Sequence, residues 1–140
     1  MRLRIVTPLA VVFDEEGVVA LRAEDASGGF GILRGHADFL TRLAISVLSW
    51  QGASGGRRYC AVRGGVLTVA GGRTISVASR EAVLGDDPLT LHETVLSRFR
   101  ADVETERAEH LESARLHLNA IRQILRHLRG DWRRGDGIFA

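Results

Sequence analysis

The chain has 140 residues, 45% apolar and 26% charged with only 2 Pro, which suits one ordinary domain or two small ones and argues against disorder. All 19 basic residues are arginine, so P-loop chemistry, Schiff-base catalysis and a general-base lysine are excluded. A single cysteine, Cys60, excludes an intramolecular disulfide and a multi-cysteine zinc site and fits a reducing compartment, while 6% aromatics argues against stacking platforms for single-stranded nucleic acid.

From the start, Arg2 to Phe13 loosely imitates a signal peptide, but Pro8 interrupts it and Asp14-Glu15-Glu16 follows at once. No run approaches the ~20 apolar residues of a membrane span, so direct insertion is not expected. Strand-like runs then follow one another. Leu3-Arg4-Ile5-Val6, Val18 to Arg22, Ala44 to Trp50, Tyr59 to Arg63, Val66 to Ala70 and Thr74 to Ala78 are short and rich in β-branched residues. Several alternate polar and apolar side chains, the period of a half-buried strand. Gly28-Gly29, Gly52 to Gly56, Gly64-Gly65 and Gly71-Gly72 punctuate them as turns, and Gly71-Gly72 has the hairpin spacing of a type I′ or II′ turn. Residues 1–84 therefore predict an all-β sandwich or small barrel.

At Gly85-Asp86-Asp87-Pro88 the pattern changes, with Asp87 suited to cap a helix and Pro88 to its first position. Leu89 to Arg129 holds neither Gly nor Pro. Leu91, Val95 and Phe99 form one stripe at i, i+4, i+8. Ala108, Leu111, Ala114, Leu118, Ile121, Leu125 and Leu128 form a second, at heptad spacing. Between them Glu104-Thr105-Glu106-Arg107 breaks the phase. Two antiparallel helices joined near residues 104–109 is the preferred reading of residues 85–140; one helix about 60 Å long, at ~1.5 Å per residue, is the alternative. Charge divides the same region. Residues 102–112 hold five acids against Arg107, and residues 115–134 hold six arginines against Asp131. Such a basic helix is either a solvated face or a surface for an acidic partner.

Tests for chemistry fail one by one. Gly28-Gly29-Phe30-Gly31-Ile32-Leu33-Arg34-Gly35-His36 has neither dinucleotide-loop nor Walker spacing. His110 and His117 lie about 10.5 Å apart along a helix at ~1.5 Å per residue, too far to share a metal. His36 and Asp38 are a conceivable base and orienter, but neither Thr41 nor Ser46 has an activating context. Cys60 lies in an apparent strand and reads as a small buried residue, and Trp50 and Trp132 fall in different halves without forming a cage. No catalytic residue, cofactor or metal site is expected.

Recognition comes from wording. Gly31-Ile32-Leu33-Arg34-Gly35-His36-Ala37-Asp38-Phe39-Leu40-Thr41 resembles the G-I-L-P-G-H-A-P-L-L-T signature of the epsilon subunit of F-type ATP synthases. Leu3-Arg4-Ile5-Val6-Thr7-Pro8 is similar to that family's first strand. Gly64-Gly65-Val66-Leu67-Thr68-Val69 resembles its S-G-G-F-L-E-V, and Thr74 to Glu81 its last strand before a helical tail. Ala61 to Val69, with Ser79-Arg80-Glu81-Ala82-Val83 before Gly85-Asp86-Asp87, resembles the epsilon variant of N-type ATPases, second and often sodium-translocating enzymes of some bacteria. Arg34 stands where the family usually has Pro, and Gly29 where some relatives place an acid. The I-D-x-x-R-A motif of ATP-binding members is not matched at Gly85 to Thr90, so ATP binding is not carried over.

The resemblance implies a sandwich of about ten strands over residues 1–84 and a C-terminal helical hairpin over residues 85–140. It implies a non-catalytic rotor-stalk subunit, peripheral at the cytoplasmic face of a bacterial inner membrane. The implied partners are the gamma subunit, the ring of membrane-embedded c subunits and the alpha–beta catalytic hexamer, with no nucleic acid. Leu33, Gly35 and His36 would lie on the loop near gamma, Gly64-Gly65 would shape a strand turn, and Arg115, Arg122, Arg126 and Arg129 would meet acidic segments of the hexamer. Two rivals stand beside it: a nucleic-acid- or protein-binding module using the arginine-rich helix, and a small hydrolase using His36 and Asp38.

Overall fold

The computed structural model describes residues 1–136, with side chains described through Arg129. The side chains of Asp131, Trp132, Arg133 and Arg134 lie outside the described residues. The chain forms two compact units, one from Met1 to Arg100 and one beginning at Ala101.

Eight strands build the first unit: β1 (Arg2–Val6), β2 (Val11–Glu15), β3 (Val18–Asp25), β4 (Gly28–Leu33), β5 (Phe39–Gly52), β6 (Arg57–Ala70), β7 (Thr74–Ala78) and β8 (Ala82–Gly85). Their order is β2-β1-β7-β6-β5-β3-β4, with β8 also on β6. β1 and β7 pair in parallel, whereas the other neighbours are antiparallel. The long β5–β6 ribbon belongs to both layers of the sandwich. Val66 to Ala70 of β6 pair with β7, and Tyr59 to Val62 pair with β8.

Alternation explains which faces close on each other. Leu3 and Ile5 of β1, Leu67 and Val69 of β6, and Ile75 and Val77 of β7 point inward and are buried. They meet Leu21 of β3, Ile32 of β4, and Leu43, Leu48 and Trp50 of β5 in one core. Each buried aliphatic side chain contributes about 1.5–3 kcal/mol relative to exposure. On the outer face, Arg2 makes a two-pronged ion pair with Asp14 at 2.9 and 3.0 Å.

The all-β class is as the sequence predicts, but the strand count falls from about ten to eight. One reason is Gly64-Gly65, expected as a turn and found inside β6, where φ values of +68° and +116° bend a single strand from one layer to the other. Likewise Gly28-Gly29 opens β4 rather than forming a turn alone. Gly71 and Gly72 do make the expected hairpin, with φ of +61° and +65° as a type I′ turn requires.

Beyond β8, Asp87 caps the helix by accepting the Leu89 N–H at 3.0 Å, with Pro88 in the first position. The helical run comprises α1 (Pro88–Thr90), a π-helical stretch (Leu91–Leu96) and α2 (Ser97–Asp136). The expected helical hairpin is therefore corrected to one continuous helix. Glu104 to Arg107 change which face is apolar but include no helix breaker, and Thr105 Oγ1 donates to the Ala101 carbonyl one turn back at 2.9 Å. The break in phase is a break in packing, not in backbone.

Within the first unit the root of the helix is anchored. Leu91, Leu96 and Phe99 are buried with Ala61, with Ile45, Val47, Tyr59, Val83 and Val95 packed around them. The expected stripe is thus altered at one place. Val95 is half-buried and Leu96 takes the central position.

Candidate partner-docking surfaces

The first surface lies at the end of β4. Leu33 ends that strand and is 64% exposed, and Arg34 to Asp38 lead into β5. Gly35 has φ +86° and donates its N–H to the Gly72 carbonyl at 3.0 Å, while His36 N–H donates to the Leu33 carbonyl at 3.1 Å. Asp38 Oδ1 accepts the Gly71 N–H at 2.8 Å. A Cβ on Gly72 would sit 2.8 Å from the Gly35 Cα, so two glycine backbones lie in close contact. His36 is fixed by a 2.7 Å hydrogen bond between Nδ1 and the Ala37 carbonyl and an edge contact with Phe39. The β4–β5 loop and the β6–β7 turn are one clasped platform, with Leu33 and Arg34 exposed beside it.

The clasp was not visible in sequence. The sequence suggests Asp38 as an orienter for His36, whereas in the structure its carboxylate accepts the Gly71 N–H. The hydrolase reading requires His36 and Asp38 to act on each other. Instead His36 Nδ1 is engaged with backbone, and Asp38 holds a turn. The only local hint was the pairing of two glycine-containing segments some thirty-odd positions apart, and sequence spacing alone does not bring them together.

The second surface lies wholly on α2. From Glu104 through Arg129 every residue is exposed. Leu111, Leu118 and Leu125 recur every seven residues, as do Ala114, Ile121 and Leu128, and together they form an apolar seam at coiled-coil spacing. Its large residues are exposed by 42% at Ile121 to 70% at Leu111. Arg115, Arg122 and Arg129 each follow one row of the seam by one residue and form a cationic edge. Arg126 lies outside that row, directly after Leu125. His110 and His117 precede the other row. Chemically this is a greasy strip with one basic border, able to dock an apolar helix face flanked by carboxylates. The two sets of candidate residues thus lie on separate elements, Leu33, Gly35 and His36 at the β4–β5 loop and the four arginines on α2.

Among the described residues no group of three or more His, Cys, Asp or Glu could hold a metal ion. Nor is any described helix long and apolar enough to cross a membrane.

Comparison with known proteins fits this architecture. Residues 1–85 match the family model of the ATP synthase delta/epsilon chain β-sandwich domain. An ATP synthase epsilon chain 2 of Cereibacter sphaeroides is 48% identical over 128 residues, covering 91% of this chain and 88% of the relative. Another, of Paraburkholderia xenovorans, is 46% identical over 136 residues, covering 97% and 96%. In fold the chain is similar to one in the cryo-EM structure of the Euglena gracilis mitochondrial ATP synthase OSCP/F1/c-ring, with TM-score 0.58 and 23% identity over 76% of this chain. It covers 62% of that chain's length, less than two thirds. A matched sandwich, and relatives nearly half identical along both sandwich and tail, place the conclusion on firm ground: the chain belongs to the ATP synthase delta/epsilon family.

Proposed function

We propose that this chain is the epsilon-type rotor subunit of a bacterial F-type ATPase, joining the gamma subunit to the ring of membrane-embedded c subunits. It works peripherally at the cytoplasmic face of the inner membrane and has no catalytic chemistry of its own; that chemistry belongs to the alpha–beta hexamer. Residues 1–84 act as the β-sandwich domain and residues 85–140 as the helical domain. Leu33, Gly35 and His36 present the clasped platform to the stalk, where a stiff, hydrogen-bonded loop pair transmits torque with little deformation. The complex is the second, N-type variety, a reading supported by the two relatives named epsilon chain 2.

The observation that carries the functional reading is the exposed apolar seam bordered by Arg115, Arg122 and Arg129. A stretch this apolar, in a sequence that also packs a complete sandwich core, is suited to a protein partner. The same arginines on a purely polar helix would suit phosphate instead; the leucine rows between them favour a helix face. Docked among acidic segments of the hexamer, the tail resists rotation in the hydrolysis direction and acts as a brake.

The test uses the assembled enzyme. Truncation after Arg100, which keeps the buried anchor, and separately Arg122→Ala/Arg126→Ala/Arg129→Ala, should raise ATP hydrolysis clearly while gamma still co-purifies. Unchanged hydrolysis in an intact assembly would reject the brake. Failure of gamma and the c ring to co-purify with the unaltered chain would reject the rotor role itself.

A further inference from the structure

The seam on α2 is exposed along its whole length, and its own layout selects what can cover it. Leu111, Leu118 and Leu125 take one core position of a two-stranded coiled coil, and Ala114, Ile121 and Leu128 take the other. Only Ala114 is small. Against an identical helix running parallel, Ala114 faces Ala114 and leaves a gap between leucine layers. Against one running antiparallel, with Leu111 level with Leu128, Leu118 falls level with Ile121 and Ala114 with Leu125. All six residues then find an apolar partner, and the small one faces a large one.

Charge makes the same choice. Residues 102–112 hold five acids against Arg107, whereas residues 113–129 hold four arginines and no acid. Parallel copies set like charge beside like; antiparallel copies bring each acidic half beside the other's basic half. In the register fixed by the apolar layers, Glu112 comes level with the stretch between Arg126 and Arg129 of the second copy. One contact opposes the pairing. Arg115 faces Arg122 of the second copy near the two-fold axis, both on exposed, flexible stems.

We propose that the seam is covered by a second copy of this chain, in an antiparallel, two-fold symmetric helix pair over residues 111–128. The pairing involves α2 alone and does not depend on the rotor reading. Combined with that reading, it is a storage form. A paired copy has no seam to offer the hexamer, so each copy masks the other's brake until the pair separates.

Sedimentation equilibrium of the full-length chain tests the pairing. The expected result is a monomer–dimer equilibrium with a Kd on the order of 10 µM. Leu118→Glu/Ile121→Glu, at two exposed positions, should weaken it at least about 100-fold while the sandwich keeps its melting transition. Two charge variants then report the orientation. Arg115→Glu replaces the opposed arginines with two Glu–Arg pairs and should tighten the dimer about fivefold, whereas Glu112→Arg should loosen it about fivefold. A parallel pair responds to both in the opposite sense, and that result would overturn the arrangement. A monomer at every concentration leaves the seam to a different protein and overturns the proposal, as does a dimer that Leu118→Glu/Ile121→Glu leaves intact.

Discussion

At Gly65 the backbone has φ +116°, and a Cβ would lie 2.0 Å from the carbonyl oxygen of Ala78 on β7. Neither condition relaxes by rotating a side chain, because the opposing atom is backbone in a paired strand. Gly65→Ala should therefore cost about 2–4 kcal/mol, combining left-handed strain with separation of β6 from β7, and thermal melting of the full chain will show it. Cys60 illustrates a milder constraint. Its side chain is fully buried, and desolvation pushes the thiol up to about 12, only partly countered by a backbone hydrogen bond from Val83. Thiol reagents should label it slowly in the native chain and rapidly in denaturant; equal rates would place it at the surface. The linked pH effect has a definite sign. The unfolded thiol begins to ionise near 9.0 while the folded one stays neutral, so the stabilisation is complete below 9.0 and is lost as pH rises toward about 12.

At the scale of elements, the anchor of the helix is the most consequential contact outside the sandwich core. Phe99 is fully buried in a cluster whose other helical members are Leu91 and Leu96. Phe99→Ala should destabilise this docking by about 3–5 kcal/mol, seen in hydrogen exchange of the first helical turns before any effect on β1–β7. Strands were legible where side chains alternate, as in β1, β6 and β7, because burial on one face imposes that period. β2, β4 and β8 are missing from the strand-like runs: four residues leave β8 no room for a period to show, β2 begins inside the stretch that imitates a signal peptide, and β4 lies inside the glycine-rich loop segment. The helix start was legible from Asp87-Pro88. Its continuity through Glu104 to Arg107 is not legible in the sequence, because an apolar stripe that breaks phase looks the same whether the backbone turns or only the packing changes. The exchange of Val95 for Leu96 was illegible for a related reason, since a π turn changes the period itself. Of the candidate docking residues, the arginine row was visible from spacing, whereas the tie between the β4–β5 loop and Gly71-Gly72 depends on tertiary pairing.

For the whole molecule, the division proposed at residue 84 makes a strong demand. Residues 1–84 contain the complete sandwich core, and they should unfold in one cooperative transition. They also leave Ala61 with Ile45, Val47, Tyr59 and Val83 uncovered, since the helical side chains that cover them are absent. A 1–100 fragment should accordingly melt higher and stay soluble at concentrations where 1–84 self-associates, measured by calorimetry and light scattering. A molten 1–84 fragment would show that the sandwich needs the helix to fold at all.

The parallel pairing of β1 with β7 sets a timetable for synthesis. Arg2 to Val6 lie against Thr74 to Ala78, so the ribosome must make β7 before β1 gains that neighbour. Until then β1 has only its hairpin with β2 in this layer, and the inward side chains of Leu3 and Ile5 await Ile75 and Val77. A nascent chain stalled before Thr74 thus carries an unfilled place in its sheet, which β7 occupies on arrival or another strand edge could occupy first.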